Sequence, residues 1–236
     1  MSMGAIKLVL ALLAALIFGP AADAGALLRE TQQLPDVAAP PGGQAFWVAR
    51  AMRLNGVPMT IKSFASPSNA DEVLHHYERQ LRTSVELKTK RTQEATWRVL
   101  AVMAPDYFIT IRARDTSRGA EGTIAVSPLL TTVRRAARTS FPHPASARLV
   151  NLQQYDDAGI EAEHISLASV RSVTIEAREF ASLLTQQGWQ LLRSEATSNR
   201  RGHVIEAQKA ASLAFIHLQR MQVGGDTSIT VVWRKA

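Results

Sequence analysis

The chain has 236 residues, 46% hydrophobic and 20% charged, with a formal net charge of +7 and no cysteine. Length and apolar content are enough for one large core or two small ones, which excludes wholesale disorder, and the missing cysteine excludes disulfides, thiol nucleophiles and cysteine-ligated zinc. The positive balance favours anionic partners: lipid headgroups, acidic polymers or acidic proteins.

Residues 1–7 carry one cation, residues 8–18 are an unbroken apolar run, and Gly19-Pro20 precedes Ala22-Asp23-Ala24. This pattern predicts a secretory signal peptide over residues 1–24, cleaved after Ala24. The apolar run is shorter than the ~20 residues that span a bilayer. Cleavage removes Lys7 and Asp23 together and leaves the net charge unchanged. A periplasmic or secreted protein is expected, with weak affinity for anionic membrane surfaces at most. Residues 25–44, with Pro35, Pro40 and Pro41, read as a flexible leader.

Two runs rich in β-formers, residues 46–54 and 57–64, are separated by Asn55-Gly56, the dipeptide of a two-residue hairpin. Val57, Met59 and Ile61 alternate along the second run and predict its core side. Asn69 and Glu72 have capping-box spacing, and Val73, Leu74, Tyr77 and Leu81 continue as a helical stripe. Strands are expected over residues 85–90, 96–103, 107–114 and 122–127. Ala104-Pro105-Asp106 and Ser117-Arg118-Gly119 mark tight connections between the later ones.

Sliding the chain so that Gly56 falls on Gly159 also puts Val57 on Ile160, Phe64 on Leu167, Asn69 on Ser172, Tyr77 on Phe180 and Leu81 on Leu184. The second half then reads as a hairpin over 148–167, a helix over 173–187 ended by Gly188, and strands near 189–196, 203–210, 213–221 and 227–234. The expected fold class is α+β, built as two tandem repeats over residues 45–128 and 147–236. Each repeat is an antiparallel sheet (two strands, one helix, four strands) with its helix on one face, and residues 129–146 link them. Such a half resembles, in layout, small domains of the photosystem-assembly and Ran-binding type. No motif accompanies the layout, so it implies no function.

Chemical signatures are sparse. Glu72 and His76 share a helical face at metal-ligand spacing, which also suits a solvated pair, and no third ligand joins them. His75, His143 and His203 are scattered. His164 falls on the inward parity of its strand, and His164 with His217 would form a site only if their strands were neighbours. G-x-S-x-G, S-x-x-K and H-E-x-x-H are all absent. Asp156, Asp157, Glu161 and Glu163 follow a hairpin without a selecting pattern. Gly224-Gly225 marks a turn rather than a phosphate loop.

Basic residues fall into three groups: Lys88, Lys90 and Arg91; Arg134, Arg135 and Arg138; Arg193, Arg200 and Arg201. They lack the exposed aromatics that nucleic-acid binding needs, because Trp47, Trp97, Trp189 and Trp233 read as core. The expectation is a non-enzymatic exported envelope protein, an interaction or assembly module for envelope proteins, in a setting such as a surface-appendage or secretion system. The alternative is a periplasmic protein that binds a small ligand in the cleft between the repeats. Catalytic, cofactor and metal residues are expected to be none.

Overall fold

The computed structural model describes residues 31–82, 87–129, 138–157, 160–198, 201–222 and 224–235. The expected signal peptide, residues 1–24, and the linker positions Arg134 and Arg135 lie outside these residues, as does Arg200. Asn55 (φ 50°) and Gly56 (φ 82°) are both left-handed, as a type I′ turn requires, and join β1 (Gln44–Leu54) to β2 (Val57–Ser66).

Helix α1 (Ala70–Arg82) begins on a capping box. The Glu72 N–H donates to Asn69 Oδ1 at 2.9 Å, the Asn69 N–H donates to Glu72 Oε2 at 3.2 Å, and Asp115 accepts the Ala70 N–H at 2.8 Å. Strands β3 (Lys88–Glu94), β4 (Trp97–Met103), β5 (Tyr107–Thr116) and β6 (Gly119–Pro128) follow. Then come β7 (Arg148–Asp157), β8 (Ile160–Ser169) and α2 (Val173–Gln186). Gly188 (φ 80°) stops α2: its N–H reaches the Thr185 carbonyl at 3.0 Å and the Trp189 N–H reaches Leu184 at 3.0 Å. Strands β9 (Gln190–Ala196), β10 (Gly202–Lys209), β11 (Ser212–Arg220) and β12 (Thr227–Arg234) complete the chain.

Most elements stand where period and turn residues place them, though the strand expected over 85–90 is found as β3 at Lys88–Glu94, and the expected fold class is corrected. The strands do not form two tandem repeats with a sheet each. They form one twelve-stranded antiparallel sheet in the order β3-β4-β5-β6-β2-β1-β7-β8-β12-β11-β10-β9. The join is β1 with β7, where Met52, Arg53 and Leu54 oppose Tyr155, Gln154 and Gln153. Asn55 extends it: its N–H donates to the Leu152 carbonyl at 2.8 Å, and its Oδ1 accepts the Leu152 N–H at 2.9 Å. Each hairpin half left one strand edge open, and pairing those edges satisfies main-chain groups that would otherwise face solvent. The cleft expected between two separate sheets is replaced by this strand pair.

Register then decides the layering. Directly opposed residues point to one side of an antiparallel sheet, and successive residues to alternate sides. Thr60 and Lys62 oppose Val126 and Ile124, so the core of β6 lies on the parity of Phe64. Leu54 opposes Val57 and Gln153, on the other side. Leu152, one residue from Gln153, therefore returns to the side of Phe64, and it opposes Ile165, which opposes Val231. Both cores lie on a single face of the sheet.

On that face α1 covers Phe64, Leu100, Ile109, Ile111 and Ile124 with Val73, Leu74 and Tyr77. Helix α2 covers Ile165, Leu167, Ile205, Ile216 and Ile229 with Ala177, Phe180 and Leu184. Each large side chain so buried contributes about 1.5–3 kcal/mol. The described residues of the leader lie against the first core. Val37 is buried within it, the Tyr77 hydroxyl donates to the Ala38 carbonyl at 2.8 Å, and Lys62 pairs with Asp36. Phe141, ahead of β7, packs on Trp189 and Trp233 with ring centroids 5.4 and 5.3 Å away.

Asn55→Gly keeps the left-handed turn but leaves the Leu152 N–H without its side-chain acceptor. It is expected to lower stability by about 1–2 kcal/mol, read as a lower urea midpoint with an unchanged slope.

Candidate docking surface

Among the described residues no helix lies on the opposite face of the sheet. Val57, Met59 and Ile61, whose alternation predicts a core side, point there, while Pro58, Thr60, Lys62 and Phe64 take the helix side. The parity reading is corrected for this reason: at the centre of β2 the helix-side residues are Thr60 and Lys62, so the apolar stripe of the strand is not its core side, and only the pairing with β6 says which face the helix covers.

The bare face is built from opposed residues of neighbouring strands. Lys90, Ala101, Thr110, Ala125, Ile61 and Ala49 form one row across β3, β4, β5, β6, β2 and β1. Beside it Lys88 opposes Met103, and Met103 opposes Phe108. Met59 opposes Met52, and Met52 opposes Tyr155. Met59, Ile61, Met103 and Phe108 are half-buried, as outward residues in mid-sheet are when only their neighbours shield them. Met52 is itself buried at 3% exposure, so the accessible band is Met59 and Met103 with Phe108 and Tyr155, and it is adaptable because unbranched thioether side chains re-pack readily.

Charges border the band. Arg112 pairs with Glu94 at 3.3 Å, and Arg114 Nε donates to Glu121 Oε1 at 2.7 Å. The two guanidinium carbons lie 5.2 and 4.7 Å from the Trp97 ring centroid. Trp97 thus has two cations over its ring and belongs to neither core, and Trp47, at 38% exposure, has Lys62 and Arg50 over its ring at 4.4 and 5.4 Å. Trp189 and Trp233 do belong to the second core. Lys88 and Lys90, on edge strand β3, are exposed and make no ion pair with a described residue. Arg91, between them and the next turn, faces the helix side and pairs with Glu78 at 2.8 Å.

In the second half the bare face carries Phe215 opposite Val232, at 45% and 46% exposure. His164 opposes Val232 and His217 opposes Thr230. Strand β12 lies between these histidines, so they share a face without forming a site. Burial holds the His164 imidazole below its usual pKa. It does the same at His203, where the charge of Glu195 opposes the effect.

The remaining candidates are structural. Glu72 spends its carboxylate on the α1 cap, away from a metal role with His76, and among the described residues no cluster of three or more metal-ligating side chains occurs. His143 bonds the Phe141 carbonyl at 3.0 Å. Ser194 Oγ lies 3.0 Å from His203 Nε2, a nucleophile-to-base spacing, yet Ser194 stands mid-strand on an edge rather than on a constrained turn. Glu195, the carboxylate acting on His203, is held by Arg193.

Two buried carboxylates escape a reading by sequence. Glu163, 2% exposed, accepts from Thr139 at 2.6 Å and pairs with Lys235 at 2.8 Å. Glu176, fully buried at the start of α2, accepts from Ser146 and Ser169 at 2.8 and 2.7 Å, and its Oε2 has no hydrogen-bond partner. Parity was the available signal for Glu163, which alternates in step with Ile165 and Leu167. A cleft of about 690 Å³ opens beside Ser172 and Thr174 and is lined by Arg201, Arg220 and Gln222.

No family model matches the chain, and neither a curated protein nor a solved structure matches it. The layout resemblance therefore carries no argument, and function rests on the surface itself. No helix among the described residues is long and apolar enough to cross a membrane.

The depressed imidazoles set a pH dependence. The unfolded histidine takes its proton near 6.5 while the folded one resists it, so stability is lost as pH falls from about 6.5 through the lower folded pKa. His164→Gln is expected to flatten the loss of urea midpoint across that window and to leave the midpoint near pH 8 little changed.

Proposed function

We propose that this chain is a non-enzymatic, exported envelope module that docks another protein on the helix-free face of its sheet, as a part of an assembly such as a surface appendage or secretion system. The observation that carries the proposal is the apolar character of that face at Leu54, Val57, Met59, Ile61, Met103 and Phe108. A one-sided antiparallel sheet ordinarily alternates polar residues outward. Here the outward positions of β2 are apolar at Val57, Met59 and Ile61, with Met103 and Phe108 beyond the Ala125 and Ser127 of β6, and apolar side chains grouped on a surface mark an interaction site. The signal-type N-terminus supports export.

A photo-crosslinking residue at Ile61, on the bare face, is expected to yield an adduct with a second protein in the native cell. The same residue at Arg79, on the solvent side of α1, is expected to yield none. Equal labelling at both positions, or adducts from Arg79 alone, overturns the docking face. Fractionation of the same cells tests export, which a mature chain in the cytoplasmic fraction refutes.

A second reading is favoured by the cleft at α2, whose Arg201 and Arg220 suit a small anionic ligand. Native mass spectrometry of the purified protein is then expected to show a bound anion that Arg220→Ala removes, with Ile61 labelling unaffected.

A further inference from the structure

The docking face has a charge as well as a hydrophobic character. The carboxylates beside the apolar band, Glu94 and Glu121, are engaged by Arg112 and Arg114, so the band is bordered on the β3 side by two cations, Lys88 and Lys90, with no ion pair to a described residue. Both lie in the same rows as the apolar residues, Lys88 beside Met103 and Lys90 beside Ala101. We propose that the occupant of this face is an acidic amphipathic helix of a partner protein, its apolar side on Met59, Ile61, Met103 and Phe108 and its carboxylates on Lys88 and Lys90. The proposal rests on the docking reading above.

Three arguments select this occupant. Rows of side chains cross the strands at about 4.8 Å, close to the ~5.4 Å pitch that separates successive apolar positions on one side of a helix. A second copy would bring the same lysines and a net charge of +7 toward itself, and that repulsion disfavours a twofold contact. An anionic membrane calls for a cluster of about 4–8 cations, and the border supplies two.

The test uses the full mature chain and a fluorescent helical peptide of about 20 residues, with Leu and Met along one side and Glu clustered at one end of that side, where the rows reach Lys88 and Lys90. A control peptide carries Lys in place of Glu. Anisotropy titrations are expected to show the acidic peptide binding at least about tenfold more tightly than the basic one at low salt, a gap that added salt closes. Lys88→Glu with Lys90→Glu, both on an exposed edge strand, are expected to invert the preference. Met59→Glu is expected to abolish binding with the far-ultraviolet circular dichroism unchanged.

Equal binding of the two peptides overturns the acidic partner. So does a dimer in sedimentation that Met59→Glu dissolves, which would make a second copy the occupant. Binding to phosphatidylserine vesicles without peptide binding points to a membrane and overturns it too. If Ile61 still crosslinks a protein while the peptides bind alike, the docking face stands and its acidic occupant falls. If neither occurs, both fall.

Discussion

Everything about this architecture depends on a short strand pair. Met52–Leu54 against Gln153–Tyr155, with Asn55 adding one main-chain and one side-chain bond to Leu152, turns two hairpin-led groups of strands into a single sheet. The contact is brief because β1 and β7 run past one another, and each bends at a bulge where it leaves the join: near Ala49 on β1 and near Val150 on β7. Only a few hydrogen bonds are involved, each worth about 1 kcal/mol net. Their effect is larger than that sum, because they set the parity of every strand on one side of the molecule relative to the other.

That parity puts both cores and both helices on one face. The other face is left to twelve strands' worth of outward side chains, and these divide by position. Toward β3 they are apolar with a basic border. Around β8 and β12 they are mostly small or polar, as at Ala162, Ser166, Ser228 and Thr230, with Phe215 and Val232 as an exposed pair. The functional reading follows from this asymmetry. Met59 and Ile61 belong to neither core and stay half-buried on the outer face.

Charged groups inside the structure serve a different end. Glu163 and Glu176 are removed from water on the α2 side, and each is compensated by neighbours that also anchor a connection: Thr139 and Lys235 for one, Ser146 and Ser169 for the other. Desolvating a carboxylate costs several kcal/mol before its partners offset it. These acids thereby tie the segment before β7, and the chain's last residues, to the sheet. The paired arginines around Trp97 act at the surface, where exposed ion pairs contribute at most about 1 kcal/mol each.

Most strand and helix positions, the Asn55-Gly56 turn, the Asn69–Glu72 capping box and the stop at Gly188 were legible in the amino-acid sequence, because each depends on residues within a few positions of one another; β3, expected over 85–90, lies at Lys88–Glu94. Which face of β2 is inside was not. Val57, Met59 and Ile61 are as apolar as a core stripe, and only the pairing of Thr60 and Lys62 with β6 sends them outward. Trp97 looked like core for the same reason, since its neighbours Val99 and Leu100 are buried on opposite sides. The division into two sheets failed at the one contact that no local pattern encodes. Strand edges carry the same main-chain groups whatever their side chains, so whether β1 meets β7 is decided by three-dimensional closure of the sheet and not by periodicity along the chain.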